Sequence, residues 1–422
     1  MTDAPARGLS LAPFRALRPN VDPARLGGLL CPPYDVISES QRAQLISQDP
    51  DNTVALILPE DSGGLDRYQA AARRLEREVA DGLLRIDPDP ALYIYEMAGS
   101  DGTVTRGLLG AVELRDPADG VILPHENTMA GPLSDRLALM TATEANLEPI
   151  YLVYDGGGPA SQLVSAADTR TPIAQTTTPD GITHRLWAVT DQAEHEAIDK
   201  DLSTRRALIA DGHHRYATYR EVQRQYDASR GHGAWDRGLT LLVDSTSYGP
   251  QVHAIHRVLI GVRLDDAAAA ARSLLGVEAA PSVEAAMRSA SDFEGFAVAI
   301  TDGYRAMVLS DPSGTLARTA LRDGEPAALG ELDVTILHRV LVEQTWKLED
   351  TVEAVGYAHS VSEAIEDASR TGGTAVLLRP TPVAAVAAVA AAGARMPRKS
   401  TLFTPKPASG LVMRRFADDH GS

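Results

Sequence analysis

The densest group of chemically versatile side chains in this sequence follows an apolar run near its middle. The group contains Asp211, Gly212, His213, His214 and Arg215. The apolar run 207–210 predicts a strand, and the pattern over 216–226 predicts a helix. A strand that turns at glycine into a helix presents backbone N–H groups and the positive end of the helix dipole, which suits a phosphate. We therefore predict a phosphate- or nucleotide-binding turn, although a solvated Asp-Gly loop would have the same sequence.

A second cluster contains an acid beside an imidazole. His125 and Glu126 follow the apolar run 121–123. The glutamate could take a proton from a substrate hydroxyl or hold a metal ion, so both residues are candidate catalytic residues. The structural alternative is a turn that caps a helix through Asn127 or Thr128.

A third cluster lies near the C-terminus and offers cations and hydroxyls. The segment 393–400 nearly matches the phosphate loop GxxxxGK[ST], but Arg398 stands where the second glycine belongs. We reject a P-loop, because the loop needs that glycine to wrap its backbone around phosphates. Lys399, Ser400 and Thr401 still predict an anion clamp, with a solvated basic turn as the alternative.

Two smaller signals involve pairs of adjacent polar residues. Tyr34 and Asp35 follow two prolines that stiffen the chain, so they could present a carboxylate to a pocket or form a plain turn. His256 and Arg257 could add to a phosphate site, or they could end a strand in solvent.

Zinc is an alternative to phosphate as the species that the histidines bind. Neither histidine cluster has two histidines at the i, i+4 spacing of a zinc hydrolase helix. Neighbouring residues of a strand or helix point in different directions, so we do not expect His213 and His214 to bind one ion together. A metal-dependent hydrolase is therefore a weaker hypothesis than a phosphate site.

Composition limits the classes of partner. A chain of 422 residues is too long for one ordinary core, and about two to three domains are expected. The formal net charge of −17 argues against nucleic acid, whose phosphates need a basic surface. The single cysteine, Cys31, excludes an internal disulfide framework. Neither a secretory signal nor an apolar run of membrane-spanning length is expected, so we predict a cytoplasmic protein with no membrane partner.

Periodicity predicts alternating helices and strands. The predicted helices are 65–84, 193–202, 215–226, 265–275, 332–346, 361–369 and 383–392. The predicted strands are 91–95, 108–112, 149–154, 207–210, 239–243, 296–300, 306–309 and 374–378. This alternation is typical of an α/β fold, with α+β as the alternative.

Several motifs together resemble a known family. In chain order they are 32–38, 124–128 with Asp135 and Arg136, 210–216, 256–257, and 396–401 with Pro405 and Lys406. With these motifs in one order, the whole chain resembles the prokaryotic proteins grouped as domain of unknown function 1015. That family name implies no activity.

A narrower likeness covers roughly residues 121–226. Pro-His-Glu, a later Pro-Ile strand and Asp-Gly-His-His-Arg resemble the free serine kinases of the ParB and sulfiredoxin-like superfamily, in which the Asp-Gly-His-x-Arg turn holds nucleotide phosphates and an upstream glutamate activates the serine hydroxyl. The likeness implies a phosphate site in the turn Asp211–Arg215, with Glu126 as the base. It also implies a ParB-like central domain over 116–260, between α/β regions at 1–115 and 261–422.

These observations predict a phosphotransferase for a small hydroxylated metabolite, with free L-serine or phosphoserine as the leading candidate. Phosphoryl transfer depends on positioning and charge neutralisation, so Mg²⁺ held in part by Asp211 is expected to bridge the phosphates. ATP, ADP or pyrophosphate could be the donor. The predicted substrate-binding residues are Tyr34, Asp35, Thr128 and Arg136. The predicted phosphate-binding residues outside the central turn are His256, Arg257, Lys399, Ser400 and Thr401.

Two other functions would use the same residues. A phosphoserine phosphatase would use the same site, and a nucleotide or phosphometabolite sensor would keep the turn without needing Glu126 as a base. The sequence leaves the donor, the substrate, the reaction direction, the metal and the oligomeric state open.

Overall fold

The computed structural model describes residues 8–349 and 351–419. Contacts between Cα atoms divide the chain into two compact units. Among the described residues, unit 1 comprises 8–124, 128–250 and 405–419, and unit 2 comprises 125–127 and 251–404. Unit 1 therefore contains both the predicted phosphate turn and the last described segment of the chain.

Short strands and helices alternate along both units. The strands are β1 (Leu11–Ala12), β2 (Leu17–Pro19), β3 (Leu84–Ile86), β4 (Leu92–Ala98), β5 (Val104–Glu113), β6 (Ile122–Leu123), β7 (Ala145–Asn146), β8 (Ile150–Tyr154), β9 (Ala174–Thr177), β10 (Thr183–Val189), β11 (Ala207–Asp211), β12 (Arg237–Asp244), β13 (Gln251–His253), β14 (His256–Leu259), β15 (Gly276–Ala280), β16 (Ala297–Thr301), β17 (Ala306–Ser310), β18 (Val355–Ala358), β19 (Thr374–Leu377), β20 (Leu402–Thr404) and β21 (Arg414–Arg415). The α-helices are α1 (Pro23–Leu29), α2 (Glu39–Gln48), α3 (Val54–Ile57), α4 (Arg67–Ala80), α5 (Ala130–Thr143), α6 (Pro159–Ser165), α7 (Gln192–Leu202), α8 (His213–Arg230), α9 (Leu264–Ala271), α10 (Val283–Asp292), α11 (Leu316–Thr319), α12 (Ala327–Gly330), α13 (Asp333–Ile336), α14 (Val361–Thr371) and α15 (Val383–Ala391).

Unit 1 is built on a mixed sheet of nine strands. The order is β6-β11-β8-β12-β5-β4-β10-β9, and β1 pairs with β5 beside this path. Strand β11 is parallel to β6 and antiparallel to β8, whereas β12 is parallel to β8. The β11–β8 register shifts between Ile209 and Asp211, and Asp211 lies opposite Tyr151. The last residue of β11 thus lies beside the start of β8.

The central strands of this sheet are buried on both faces. Every residue of β8 is buried, and its sequence is apolar throughout, as is typical of a strand covered on both sides. Helix α8 packs against the sheet through Tyr216, Tyr219, Val222 and Tyr226, whose spacing places them on one helical face. This packing fixes the helix that follows the predicted phosphate turn.

A second core of unit 1 lies among its N-terminal helices. Leu56 of α3, Leu75 of α4 and Leu139 of α5 are buried in one cluster with Met413. The partly buried Tyr34 packs against the same cluster. The turn that carries Tyr34 and Asp35 is therefore held by the core of unit 1.

Unit 2 contains an antiparallel sheet of six strands in the order β15-β17-β16-β19-β14-β18. Helices α10 and α14 contribute alanines to its core, and these small side chains allow close packing on the sheet. Helix α13 continues as a π-helix over Leu337–Thr345. Strands β13 and β20 form a separate pair.

The α/β class predicted from the sequence is confirmed, and each predicted helix and strand overlaps an observed one. The three-region division at 115 and 260 stays a prediction; the nine-stranded sheet takes strands from both sides of position 115. Across the described part of the chain, no helix combines the length and the apolarity needed to cross a bilayer.

Candidate functional site

The predicted strand–turn–helix is present in unit 1. Strand β11 ends at Asp211, Gly212 has φ 93°, and α8 begins at His213. Glycine adopts this left-handed backbone conformation at little energetic cost because it has no Cβ. Gly212 supplies no side-chain cap to the 18-residue helix. The first turn of any α-helix directs N–H groups outward and carries partial positive charge, so the geometry suits an anion.

Asp211 is held by two cations, one on each carboxylate oxygen. Arg215, one helical turn later, donates from Nη2 to Oδ2, and Lys406 Nζ lies 2.7 Å from Oδ1. Arg215 also donates from Nη1 to the carbonyl of Pro149 at the start of β8. Only 3% of Arg215 is exposed. The predicted phosphate ligand Arg215 is thus used inside unit 1 to fix Asp211 and the neighbouring strand.

The charge on Arg215 is stabilised despite its burial. Burial alone would lower its pKa, but the carboxylates of Glu148, Asp211 and Asp35 outweigh that effect and raise it. A Cβ atom added at Gly212 would lie 3.2 Å from Arg215 Nε. The absence of a side chain at position 212 therefore also makes room for this guanidinium.

Lys406 is a candidate site residue that the sequence-based selection missed. Its Nζ bridges Asp211 Oδ1 at 2.7 Å and Asp35 Oδ2 at 3.2 Å. Burial lowers the pKa of Lys406, but the two carboxylates outweigh it and raise the pKa above its ordinary value. For Asp35 the signs are reversed, because burial raises the pKa of a carboxyl. Lys406 and then Arg215 lower this pKa, and the net shift is downward. The Pro405-Lys406 motif was visible in the sequence, but nothing there indicated its partners.

Glu148 connects a second group of polar side chains to the group around Asp211 and Lys406. Its Oε1 accepts hydrogen bonds from the backbone N–H of Tyr34 at 3.1 Å and from Ser409 Oγ at 3.0 Å. Arg136 Nη1 lies 3.8 Å from Glu148 Oε2, and its guanidinium lies over the Tyr34 ring at 4.2 Å. Burial raises the pKa of Tyr34 to about 12. The predicted residues Tyr34, Asp35 and Arg136 therefore belong to one connected network with Arg215.

His214 fixes the start of α5. The backbone N–H of Met129, the residue that precedes α5, donates to His214 Nε2 at 2.9 Å. Asn127 and Thr128 do not cap the helix, which begins at Ala130 without any side-chain cap. His213 is buried, and Thr128 is exposed. The imidazole of His214 thus links the predicted turn to the helix that carries Asp135 and Arg136.

The predicted residues His125 and Glu126 belong to unit 2. His125 is fully buried, and its Nε2 lies 3.1 Å from Thr401 Oγ1. The carbonyl of His125 accepts a hydrogen bond from the backbone N–H of Met396 at 2.8 Å. Two of the predicted clusters, separate in sequence, are therefore adjacent in unit 2.

Arg257 supports the C-terminal turn of unit 2 from inside. Its Nη2 donates to the carbonyls of Arg398 and Lys399 at 3.2 and 3.0 Å, and its Nε donates to His338 Nε2 at 2.8 Å. Arg257 is fully buried, so the alternative of a solvated strand end is wrong. Lys399 is exposed and has φ 53°. In unit 2, Lys399 is thus an exposed cation, and Arg257 holds the backbone of its turn.

Two further predicted residues of unit 2 have local partners. Ser400 Oγ donates to the carbonyl of Pro397, and His256 Nδ1 accepts the backbone N–H of Leu378 at 3.2 Å. Burial, and then Arg257, lower the pKa of His256 to about 4. His256 is therefore neutral near pH 7.

Comparison with known proteins identifies the family. Residues 11–335 match the family described as "Protein of unknown function (DUF1015)". The chain belongs to this family. A comparison of this DUF1015 protein with curated proteins found no match.

Three solved structures similar to this DUF1015 protein have low identity. A conserved hypothetical protein from Pyrococcus furiosus is 15% identical, with a TM-score of 0.33, over 69% of this chain and 92% of its own. A free serine kinase in complex with AMP is 15% identical, with a TM-score of 0.35, and the match covers 69% of this chain and 88% of the kinase chain. SbnI with a C-terminal truncation, from Staphylococcus aureus, is 13% identical, with a TM-score of 0.37, over 72% and 86%. These scores are too low to transfer a fold or an activity.

Two carboxylates of this DUF1015 protein converge on one cation, which is the Lys406 ammonium. Asp35 and Asp211 each direct a carboxylate oxygen at the same Lys406 ammonium. Carboxylate oxygens are the ligands that Mg²⁺ prefers in proteins. A different group, Asp227, His232 and Asp236, also has ligand atoms within 4.8 Å of one another, but it includes the exposed His232 and no predicted site residue.

Proposed function

We propose that this protein is a phosphotransferase whose unit 1 binds phosphate groups at the turn Asp211–Gly212–His213. The acceptor in this proposal is a small hydroxylated metabolite, with free L-serine or phosphoserine as the leading candidate. The observation that carries the proposal is the start of α8, where a left-handed glycine, an outward helix N-terminus, a lysine and two carboxylates meet. Helix N-termini of this kind bind phosphate through backbone N–H groups and the helix dipole.

Lys406 is the proposed phosphate-binding cation of unit 1. Its side chain is 15% exposed and ends between Asp211 and Asp35, and the Asp35 side chain is 37% exposed. Arg215 is enclosed by Asp211 and Pro149, so its proposed role is to position Asp211. The raised pKa keeps Lys406 charged at neutral pH, as a phosphate partner must be.

Charge balance supports a role for magnesium. Asp35 and Asp211 carry two negative charges, and Lys406 and Arg215 carry two positive ones, so this group is formally neutral. A phosphate ester would add negative charge beside two carboxylates, which is unfavourable without a further cation. In the proposal Asp35 and Asp211 would hold Mg²⁺ when the Lys406 ammonium pairs with the phosphate instead of with them, and the ion would neutralise charge on the phosphate. ATP, ADP and pyrophosphate are the proposed donors.

Glu126 remains the proposed general base, with His125 beside it. A carboxylate at the acceptor hydroxyl would accept its proton as the new phosphate ester forms. Lys399 and Thr401, which lie with the His125 segment in unit 2, stay predicted phosphate-binding residues. Thr128 stays a proposed substrate contact.

The proposal is tested by following phosphorus species directly. Purified protein is incubated with Mg²⁺, a donor from the set ATP, ADP and pyrophosphate, and a panel of hydroxy amino acids, and phosphorus NMR records the products. A phosphomonoester that requires both donor and acceptor is expected. Lys200→Met, on the exposed end of α7, is the matched control for Lys406→Met. Donor binding with no transfer to any acceptor would favour a sensor, and phosphate release from phosphoserine alone would favour a phosphatase.

A further inference from the structure

A cleft of about 340 Å³ opens in unit 1 next to the turn that carries Tyr34 and Asp35. Ile37 and Leu58 contribute apolar surface to its lining. Arg136, which lies over the Tyr34 ring and reaches toward Glu148, is also part of the lining. The cleft therefore adjoins the network around Asp35, and its volume is within the range of sites for small molecules.

Arginine–carboxylate pairs line this cleft, and Asp135 is shared between Arg136 and Arg67. Arg42 donates from Nη1 to Glu60 Oε1, and its Nε donates to the carbonyl of Leu58 at 2.7 Å. Arg67 Nη2 lies 3.1 Å from Asp135 Oδ1. Glu60 is 72% exposed and Arg67 is 50% exposed, so each pair presents a charged group that a ligand can reach.

The charges in the cleft are balanced rather than of one sign. The lining contains three arginines, Arg42, Arg67 and Arg136, and three carboxylates, Glu39, Glu60 and Asp135. A phosphate or a dicarboxylate would meet three carboxylates there, and a diamine would meet three guanidinium groups. A molecule with one carboxylate and one ammonium group matches both signs at once.

We propose that this cleft binds a free α-amino acid, with its carboxylate at Arg42 or Arg67 and its ammonium group at Glu60, whose side chain is more exposed than that of Asp135. The inference rests on the proposed function only in taking that amino acid to be the phosphate acceptor. The cleft residues Arg42, Glu60 and Arg67 lie outside the sequence region 121–226, so their arrangement is an independent observation. The apolar surface of Ile37 and Leu58 is available to a short side chain.

The first test measures binding to the full chain in the absence of nucleotide and Mg²⁺. The probes are L-serine, L-threonine, L-homoserine and L-alanine, followed by calorimetry or ligand-observed NMR. N-acetyl-L-serine lacks the ammonium charge and L-serinamide lacks the carboxylate. We expect at least one amino acid to bind and the serine analogues to bind roughly tenfold or more weakly than L-serine. No binding by any amino acid, or equal binding by both analogues, would overturn the proposal.

The second test uses charge-removing substitutions in the cleft. Arg42→Gln, Arg67→Gln and Glu60→Gln are compared with Arg73→Gln, an arginine on the exposed face of α4. At least one arginine variant and Glu60→Gln should lower amino acid affinity roughly tenfold, with circular dichroism checking the fold. Because Arg67 and Glu60 are largely exposed, their variants keep the test valid if Arg42→Gln fails to fold. Affinities equal to that of Arg73→Gln in all folded variants would rule out this cleft.

The two proposals fail separately. If nucleotide binds through Lys406 while no amino acid binds, the cleft assignment is wrong and the phosphate site stands. If amino acids bind through Arg42 or Arg67 and Glu60 while Lys406→Met has no effect on nucleotide, the cleft stands and the phosphate assignment is wrong.

Discussion

Lys406 and Asp211 form an ion pair, with 2.7 Å between Nζ and Oδ1, although Lys406 belongs to the C-terminal segment and Asp211 ends strand β11 of the nine-stranded sheet. On the opposite oxygen Asp211 accepts a hydrogen bond from Arg215. The two cations differ in exposure, since Arg215 is enclosed and Lys406 is partly accessible. Removing each should therefore affect a different property of the protein.

Removing the charge of Lys406 should weaken phosphate binding. Lys406→Met keeps a long apolar side chain but loses a charge-assisted contact, so nucleotide or phosphoserine affinity should fall roughly tenfold or more. Isothermal calorimetry measures the change, and Lys200→Met should bind as the unchanged protein does. Equal affinity in both variants would show that Lys406 does not contact the phosphate.

Removing the charge of Arg215 should reduce stability. Arg215→Gln replaces the buried guanidinium beside Asp211 with a neutral amide, and breaking a buried ion pair costs about 3–5 kcal/mol. Chemical denaturation should show this loss in the free energy of unfolding. Arg224→Gln, on the exposed face of the same helix, should change it little. A loss as small as that of Arg224→Gln would mean that Arg215 is not a structural cation.

Gly212 should matter for binding as well as for stability. Gly212→Ala forces a side chain into a left-handed backbone, at about 1–2 kcal/mol, and places its Cβ at 3.2 Å from Arg215 Nε. Gly120→Ala is the matched control, because Gly120 has φ 66° and ψ 23°, in the same left-handed region, and no heavy atom lies within 4 Å of the added Cβ. Both variants should lose stability, but only Gly212→Ala should lose nucleotide affinity. Equal nucleotide affinities in the two variants would show that the turn at Gly212 does not contribute to binding.

The local part of this site was predictable from the sequence. The apolar run 207–210, the single glycine and the helical pattern that follows are short-range signals, and the structure has β11, Gly212 and α8 at these positions. Helix α5 was not predicted, because it has no side-chain cap of its own and its preceding N–H is bound by His214 from a distant part of the chain. Local patterns do not contain such tertiary contacts.

The long-range part was not predictable. Residue types indicated that Arg215 and Arg257 could bind phosphate, but both are buried and donate to carbonyls of their own unit. An exposed and a buried arginine look alike in sequence until the packing around them is known. For the same reason Lys406 was named only as part of a motif, since its partners Asp35 and Asp211 are brought to it by the fold.

Acid should destabilise unit 1 through His184. This histidine is 3% exposed, and its ring nitrogens form hydrogen bonds with the Tyr95 hydroxyl at 2.8 Å and the Thr178 hydroxyl at 3.0 Å. Burial lowers the pKa of His184 to about 4. The unfolded chain, with a histidine pKa of about 6.5, takes up the proton first as pH falls. Stability should therefore decrease between pH 6.5 and 4, by up to about 3 kcal/mol from this group.

Unfolding of the His184→Gln variant at pH 7, 6 and 5 measures this contribution. The substitution removes the titrating group, so stability should depend less on pH than in the unchanged protein. His232→Gln, which removes an exposed histidine, should keep the full pH dependence. Identical slopes for His184→Gln and the unchanged protein would contradict the assignment to His184.

The test of Glu126 separates an enzyme from a sensor. A general base typically contributes about 10²–10⁴-fold to rate, so Glu126→Gln, which keeps shape and hydrogen bonding but loses the proton acceptor, should abolish most turnover. Nucleotide affinity should survive, because the turn at Asp211 is built by contacts within unit 1. The paired measurement is phosphoserine formation or breakdown and nucleotide affinity on the same variant. Loss of affinity together with activity would make Glu126 a metal ligand or a structural residue, and persistent turnover would place the base elsewhere. A chain that binds nucleotide equally well with either residue at position 126, and never transfers phosphate, would be a sensor.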